Sequence, residues 1–188
     1  IPAAQQEVLS GTWRQQVGGL LSGRTVGIIG CGFIGKDLVE LLQPWSCNLL
    51  ANDILDFPDF YAHYGVTPVG LEELLQRSDV VTLHVPIDES TSNLISAARL
   101  ALMKPSAILI NAARGGLVDE SALKALLVTK RLAAAAFDVF AVEPPQDQEL
   151  LDLPNFLASP HIGGSAEEAT LAMGRAAIDG LDINEIPK

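Results

Sequence analysis

The sequence predicts an α/β fold, a doubly wound parallel sheet with helices on both faces. Three observations carry that expectation. Seven apolar, β-rich runs alternate with helical patterns along 188 residues. The runs are continuously apolar, as in Ala107-Ile108-Leu109-Ile110, and strands buried on both faces of a parallel sheet read that way. The links between runs are short, and strand–helix alternation with short links winds into a parallel sheet.

The elements follow in order. Residues 1–20 read as a leading helix and loop. The run Thr25-Val26-Gly27-Ile28-Ile29 is the first strand, and Ile34, Leu38, Leu41 and Leu42 give a helix over 34–42. Further strands are expected at about 48–52, 66–69, 79–83, 106–110, 132–138 and 156–158. Helices are expected at 71–76, at 119–128 (Leu123, Leu126, Leu127) and at 165–179. Asp119 stands where an N-cap belongs, and Ser165 followed by Glu167 and Glu168 has the spacing of a capping box. Pro144-Pro145 and the Gln/Asp-rich stretch after them mark a surface loop.

Composition narrows the class of partner. Twelve basic against 23 acidic residues leave a net charge of −11, which argues against nucleic acid and anionic membrane, since both need basic footprints. No apolar stretch approaches the ~18 residues that cross a bilayer, and no signal-like segment is read at the start. Cys31 and Cys47 are the only cysteines. They read as structural thiols in a reducing compartment, so a cytoplasmic location is expected. No Cys/His/Asp spacing suggests a metal. The chain opens Ile1-Pro2, without Met, and is expected to be a piece of a larger polypeptide.

Gly30-Cys31-Gly32-Phe33-Ile34-Gly35 follows the first strand and opens the first periodic helix. A glycine triplet alone is weak evidence, but this one has the strand, the helix and a later acid in place. Gly30 suits the tight turn, Gly32 the close approach of a pyrophosphate, and Gly35 the packing of helix on strand. The pyrophosphate would meet the open N–H groups and positive end of the helix near Phe33. Asp53 closes the second strand 18 positions beyond Gly35, where a carboxylate accepts from ribose hydroxyls. Ile54 follows it rather than Arg, which favours NAD over NADP. This is a Rossmann-type arrangement.

The later motifs complete a resemblance. GIIGCGFIG, LHVP, NAARGGLVDE, FDVFAVEPP and SPHIGGS occur in the order seen in the NAD-dependent D-2-hydroxyacid dehydrogenases, and the chain resembles the nucleotide-binding domain of that family over nearly all its length. The resemblance implies hydride transfer between NAD and a small anionic 2-hydroxy or 2-oxo acid, phosphoglycerate among the substrate types. It also implies a separate substrate lobe, mostly built from a preceding segment absent from this chain, with 180–188 as the start of a shortened C-terminal segment.

Residue by residue, Arg114 resembles the guanidinium that pairs with the substrate carboxylate and polarises its carbonyl. Glu143 resembles the acid that hydrogen-bonds the catalytic imidazole, and His161 the general acid–base. Asp138 resembles the acceptor of the nicotinamide carboxamide. His84, Val85 and Pro86 resemble the cofactor-lining segment. Thr91, Ala112, Ala113, Gly163 and Gly164 complete the expected cofactor contacts, alongside the glycine loop, Arg114 and His161. His63 reads as a surface or helix-packing residue. Lys36 departs from the family's usual Arg. The family also implies a homodimer through the first helix and the arm at 87–105, with Leu94, Ile95, Leu100, Leu102 and Met103 as its apolar cluster. A different class shares the same motifs, the NAD-sensing binding module of transcriptional corepressors, and turnover with 2-oxoacids separates the two.

Overall fold

Every strand pairing in the computed structural model, which describes residues 2–183, is parallel. The strands are β1 (Thr25–Ile29), β2 (Asn48–Asn52), β3 (Val66–Pro68), β4 (Val80–Leu83), β5 (Ile108–Asn111), β6 (Ala134–Phe137) and β7 (Phe156–Ala158). Their order across the sheet is β3-β2-β1-β4-β5-β6-β7. The direction of winding therefore reverses between β1 and β4, and a crevice opens there at the carboxyl ends of the strands.

All seven expected strands form, with ends shifted by at most two residues. The helices α1 (Pro2–Leu9), α2 (Phe33–Leu42), α4 (Leu71–Arg77), α6 (Glu120–Val128) and α8 (Glu167–Ile183) match the expected ones. Three more were not read from the sequence: α3 (Pro58–Tyr64), α5 (Ala97–Leu100) and α7 (Gln148–Leu151). The last two have four residues each, too few to show a helical period. α3 is rich in aromatic side chains, which weaken a helical reading, and it is bounded by Pro58 at its start and left-handed Gly65 at its end. His63 lies exposed on α3, edge-on to Tyr64. Asp119 caps α6 as expected, its carboxylate accepting from the Ala122 N–H at 2.9 Å. The Ser165 cap does not form. α8 opens at Glu167, and its Thr170 N–H bonds the Ala166 carbonyl, one residue later than the capping-box spacing predicts. Residues 184–188 of the expected C-terminal segment lie outside the described residues.

Each face of the sheet has its own core. Val26 and Ile28 of β1 join Val39, Leu49, Ala51 and Tyr61 on one side, while Ile29 joins Leu50, Leu74, Leu83 and Leu109 on the other. One strand feeding both cores is the physical reason its sequence is apolar throughout. The expected interface cluster lies in the core instead. Ile95, Leu100 and Met103 are buried in the larger core, with Leu94 and Leu102 packed against it, so these side chains are committed within the chain. Lys36, on the first turn of α2, places its Nζ 3.6 Å from the Phe57 ring centroid, a cation–π contact.

Candidate active site

The expected cofactor residues collect along the carboxyl edge of the sheet. Gly30 leaves β1 with φ +94, and a Cβ there would lie 2.5 Å from the His84 carbonyl oxygen. At Gly35 a Cβ would lie 2.1 Å from the Gly30 carbonyl oxygen, so α2 packs against its own loop only with glycine. Gly32 differs, because a Cβ there meets nothing within 4 Å. Gly32 is the N-cap of α2 and supplies no side-chain cap. The helix start, flanked by exposed Phe33 and Ile34, thus offers unbonded N–H groups and open space to an anion.

Asp53 faces this loop from just past the end of β2. Its Oδ2 accepts from the Cys31 N–H at 2.6 Å and its Oδ1 from the Leu55 N–H at 2.9 Å. A carboxylate has about four acceptor positions, so two remain for ribose hydroxyls. Cys31 itself is buried, and burial pushes its thiol up. Beside it, burial first, then the nearby Cys31 and Asp53, push the Tyr61 phenol up to about 12. On β4's exit, His84 bonds the Thr82 hydroxyl through Nε2 at 3.0 Å, and burial pushes its imidazole down. Val85 and Pro86 follow. The Thr91 hydroxyl donates to the Pro86 carbonyl at 2.7 Å and accepts from the Asp88 N–H at 2.8 Å, closing that turn.

The chemical residues leave β5, β6 and β7. Glu143 and His161 meet as expected, with Nδ1 and Oε2 at 2.9 Å. The other oxygen of Glu143 accepts from the Phe140 N–H at 3.0 Å. The bond to His161, then that to Phe140, holds the Glu143 carboxyl below the usual carboxylate range. His161 adopts φ +55, a left-handed conformation uncommon outside glycine.

Asp138 explains how that conformation is held. Its Oδ1 accepts from the Ser159 hydroxyl at 2.6 Å and the Ile162 N–H at 2.9 Å, and its Oδ2 from the Gly163 N–H at 2.8 Å. Its backbone carbonyl accepts from the His161 N–H at 2.9 Å. Burial pushes this carboxyl up, but the three donors outweigh it and hold it below its ordinary value. One acceptor position is left for a carboxamide. Gly164 continues the loop. Beneath the pair, Pro144, Pro145, Leu151 and Ala158 line an apolar-walled cleft of about 430 Å³.

Arg114 sits on the turn after β5, behind Ala112 and Ala113, with an exposed side chain whose Nη1 donates to the Ala113 carbonyl at 2.6 Å. Among the described residues the structure does not pair it with Glu143 or His161. Asn111 shapes this turn. It is buried, its amide donates to the Arg114 carbonyl at 2.9 Å, and its Oδ1 accepts from the Ala113 N–H at 3.2 Å. Asn111 and Ser159 were not singled out in the sequence. An amide ending an apolar strand, and a hydroxyl two positions before the histidine, were the available signals.

The model of the NAD binding domain of D-isomer specific 2-hydroxyacid dehydrogenases matches residues 1–163. The chain belongs to that family. It is 41% identical over 177 residues to D-3-phosphoglycerate dehydrogenase of Methanocaldococcus jannaschii, covering 93% of this chain and 34% of the relative. It is 42% identical over 165 residues to glycerate dehydrogenase of Methylorubrum extorquens, covering 86% and 50%. Among solved structures, a D-lactate dehydrogenase from Sporolactobacillus sp matches with a TM-score of 0.86 and 38% identity, over 95% of this chain and 58% of that one. The chain thus spans a third to a half of the curated relatives. NAD is the cofactor of this domain type, and the open helix start, uncrowded Gly32 and half-used Asp53 carboxylate fit it.

Proposed function

We propose that this chain is the cofactor-binding part of an NAD-dependent dehydrogenase that interconverts a D-2-hydroxyacid and its 2-oxoacid. The Glu143–His161 contact carries the reading. An imidazole and a carboxylate in contact on the same sheet edge as the glycine loop and Asp53 support a proton-handling role for the two. Gly30, Gly32, Gly35 and Asp53 would hold NAD, which when bound would supply hydride in its reduced form and take it up in its oxidised form. His161 gives a proton to the carbonyl oxygen in reduction and takes it from the hydroxyl in oxidation. Glu143 keeps Nδ1 occupied, which leaves Nε2 for the substrate and favours the protonated ring. Arg114 binds the substrate carboxylate in a forked pair. Asp138 offers its last acceptor position to the nicotinamide amide. The relatives named for phosphoglycerate and glycerate make such acids the first substrates to assay, and turnover of any 2-oxoacid distinguishes an enzyme from an NAD sensor.

The test is Glu143→Gln in the intact parent protein. Glu143 titrates below the usual range and is therefore charged throughout the neutral region. Gln keeps the shape of the side chain and removes the negative charge beside the ring, so any positive charge that develops there loses its partner. Reduction needs the protonated ring, and its alkaline limb should move to lower pH, with oxidation suffering less. An unmoved pH profile would refute the dyad.

The reading extends to cofactor choice. NADH should bind more tightly than NADPH, because the Asp53 carboxylate repels a 2′-phosphate. Calorimetry checks this, and equal affinities would overturn it, while Asp53→Ala should weaken the preference. We also assign a cytoplasmic setting, on the free thiols of Cys31 and Cys47, and a two-fold dimer. With the 94–103 cluster committed to the core, the segment bearing Trp13, Val17 and Leu20, all more than 80% exposed, is an apolar surface available to a partner copy. Light scattering that finds a monomer at tens of micromolar removes the dimer.

A further inference from the structure

Three loops carry Arg114, Glu143 and His161, and they keep their spacing only if the loops are fastened to each other. Two fastenings join the Glu143 loop to the His161 loop, namely the dyad itself and the donors gathered by Asp138. The Arg114 turn meets the Glu143 loop differently. A Cβ on Gly115 would lie 1.8 Å from the Phe140 carbonyl oxygen and 2.6 Å from the Ala141 nitrogen, so the turn rests directly on that peptide. The same peptide is gripped from α6, where Glu120 Oε1 accepts from the Ala141 N–H at 2.8 Å.

Two neighbouring N–H groups therefore each hold a carboxylate. Phe140 holds the dyad's Glu143, and Ala141 holds Glu120. Glu120 is not needed as the cap of its own helix, since Asp119 fills that role. It starts α6, only six positions after Arg114, and reaches 21 residues along the chain to the turn that aims Glu143.

We propose that Glu120 is a positioning residue, which sets the Glu143–His161 pair in register with the Arg114 turn by holding the Ala141 peptide. This rests on the proton-handling role of the pair given above. What matters is the reach of an acceptor oxygen, not its charge. Without it the Ala141 N–H loses its partner, the 140–143 turn gains freedom, and the reacting groups spend less time in productive alignment, where errors near 1 Å cost up to about 10²-fold.

Two substitutions in the intact parent protein separate reach from charge. Glu120→Asp keeps the negative charge in the first turn of α6, where an acid suits the helix and preserves the fold, but draws the oxygen back by one methylene. Glu120→Gln keeps the reach and removes the charge. With saturating NADH and a 2-oxoacid substrate, Glu120→Asp should lower kcat on the order of tenfold. KM and NADH affinity should stay within about twofold, since Arg114 and the glycine loop are untouched. Glu120→Gln should restore kcat to within about threefold of the parent, because an amide oxygen also accepts. Parental kcat in Glu120→Asp overturns the proposal. So does a Gln variant that is slower than the Asp variant and melts lower, which would make Glu120 a helix-start charge. His161→Ala measured alongside keeps the two inferences apart. If it retains turnover, the dyad reading fails, whereas a dead His161→Ala beside a fully active Glu120→Asp sinks only the positioning role.

Discussion

Alanine at His161 should lower turnover of the intact parent protein by roughly 10²–10⁴, the usual range for loss of a general acid–base, with NADH affinity nearly unchanged. The two readouts separate because the loop does not depend on the ring. Asp138 fastens it through the Ser159 hydroxyl and the Ile162 and Gly163 N–H groups, and through the backbone N–H of residue 161 itself. Among the described residues the ring's hydrogen bond is to Glu143, and about half of its side chain is exposed. The left-handed backbone at 161 disfavours alanine, so His161→Asn, which tolerates that conformation better, serves as a second variant and should be equally slow. Stopped-flow turnover and fluorescence titration with NADH give the two numbers. Collapse of cofactor binding with survival of the catalytic rate would make His161 structural and end this mechanism.

The second large effect distinguishes two glycines of one loop. Gly30→Ala forces a side chain into φ +94 and brings its Cβ to 2.5 Å from a backbone oxygen. Left-handed strain and overpacking together cost about 2–5 kcal/mol, so the melting temperature should fall on the order of 10 °C. Gly32→Ala meets no protein atom within 4 Å and should melt with the parent. Its methyl instead occupies the space left for the pyrophosphate, and NADH affinity should fall about tenfold or more, the scale of a lost 1.4 kcal/mol. Differential scanning calorimetry and NADH titration of both variants give the comparison. A Gly32→Ala variant that binds NADH like the parent would remove the loop from the cofactor site.

The central strands β1, β2 and β4 were legible because they carry apolar residues toward both cores, and β5 and β6 because their runs stay apolar against the larger one. The glycine loop and the Glu143–His161 pair were legible because each lies in a short run of fixed order around a strand end. What escaped the sequence is what depends on the third dimension. Glu120 and Ala141, or Asp138 and Ser159, are joined across 21 residues by loops whose approach no periodicity records. The segment 94–103 misled for a related reason. A local apolar cluster looks the same whether it faces a partner or the larger core, and only the packing of α5 against α4 and α6 decides it. The four-residue helices α5 and α7 fall below the length at which a period exists.

The start of α2 carries no basic side chain toward the glycine loop, and Lys36 is turned onto Phe57. The cofactor's phosphates would then be received by neutral peptide donors on a chain whose formal charge is −11. At a distance the net charge of this chain would repel an anion, and attraction would begin only near the first turn of α2. Dissolved salt screens the distant repulsion over a Debye length of about 8 Å at physiological ionic strength and weakens the contact dipole less. Saltier solution should thus favour arrival of the cofactor at this chain, the reverse of what a lysine-lined phosphate site experiences.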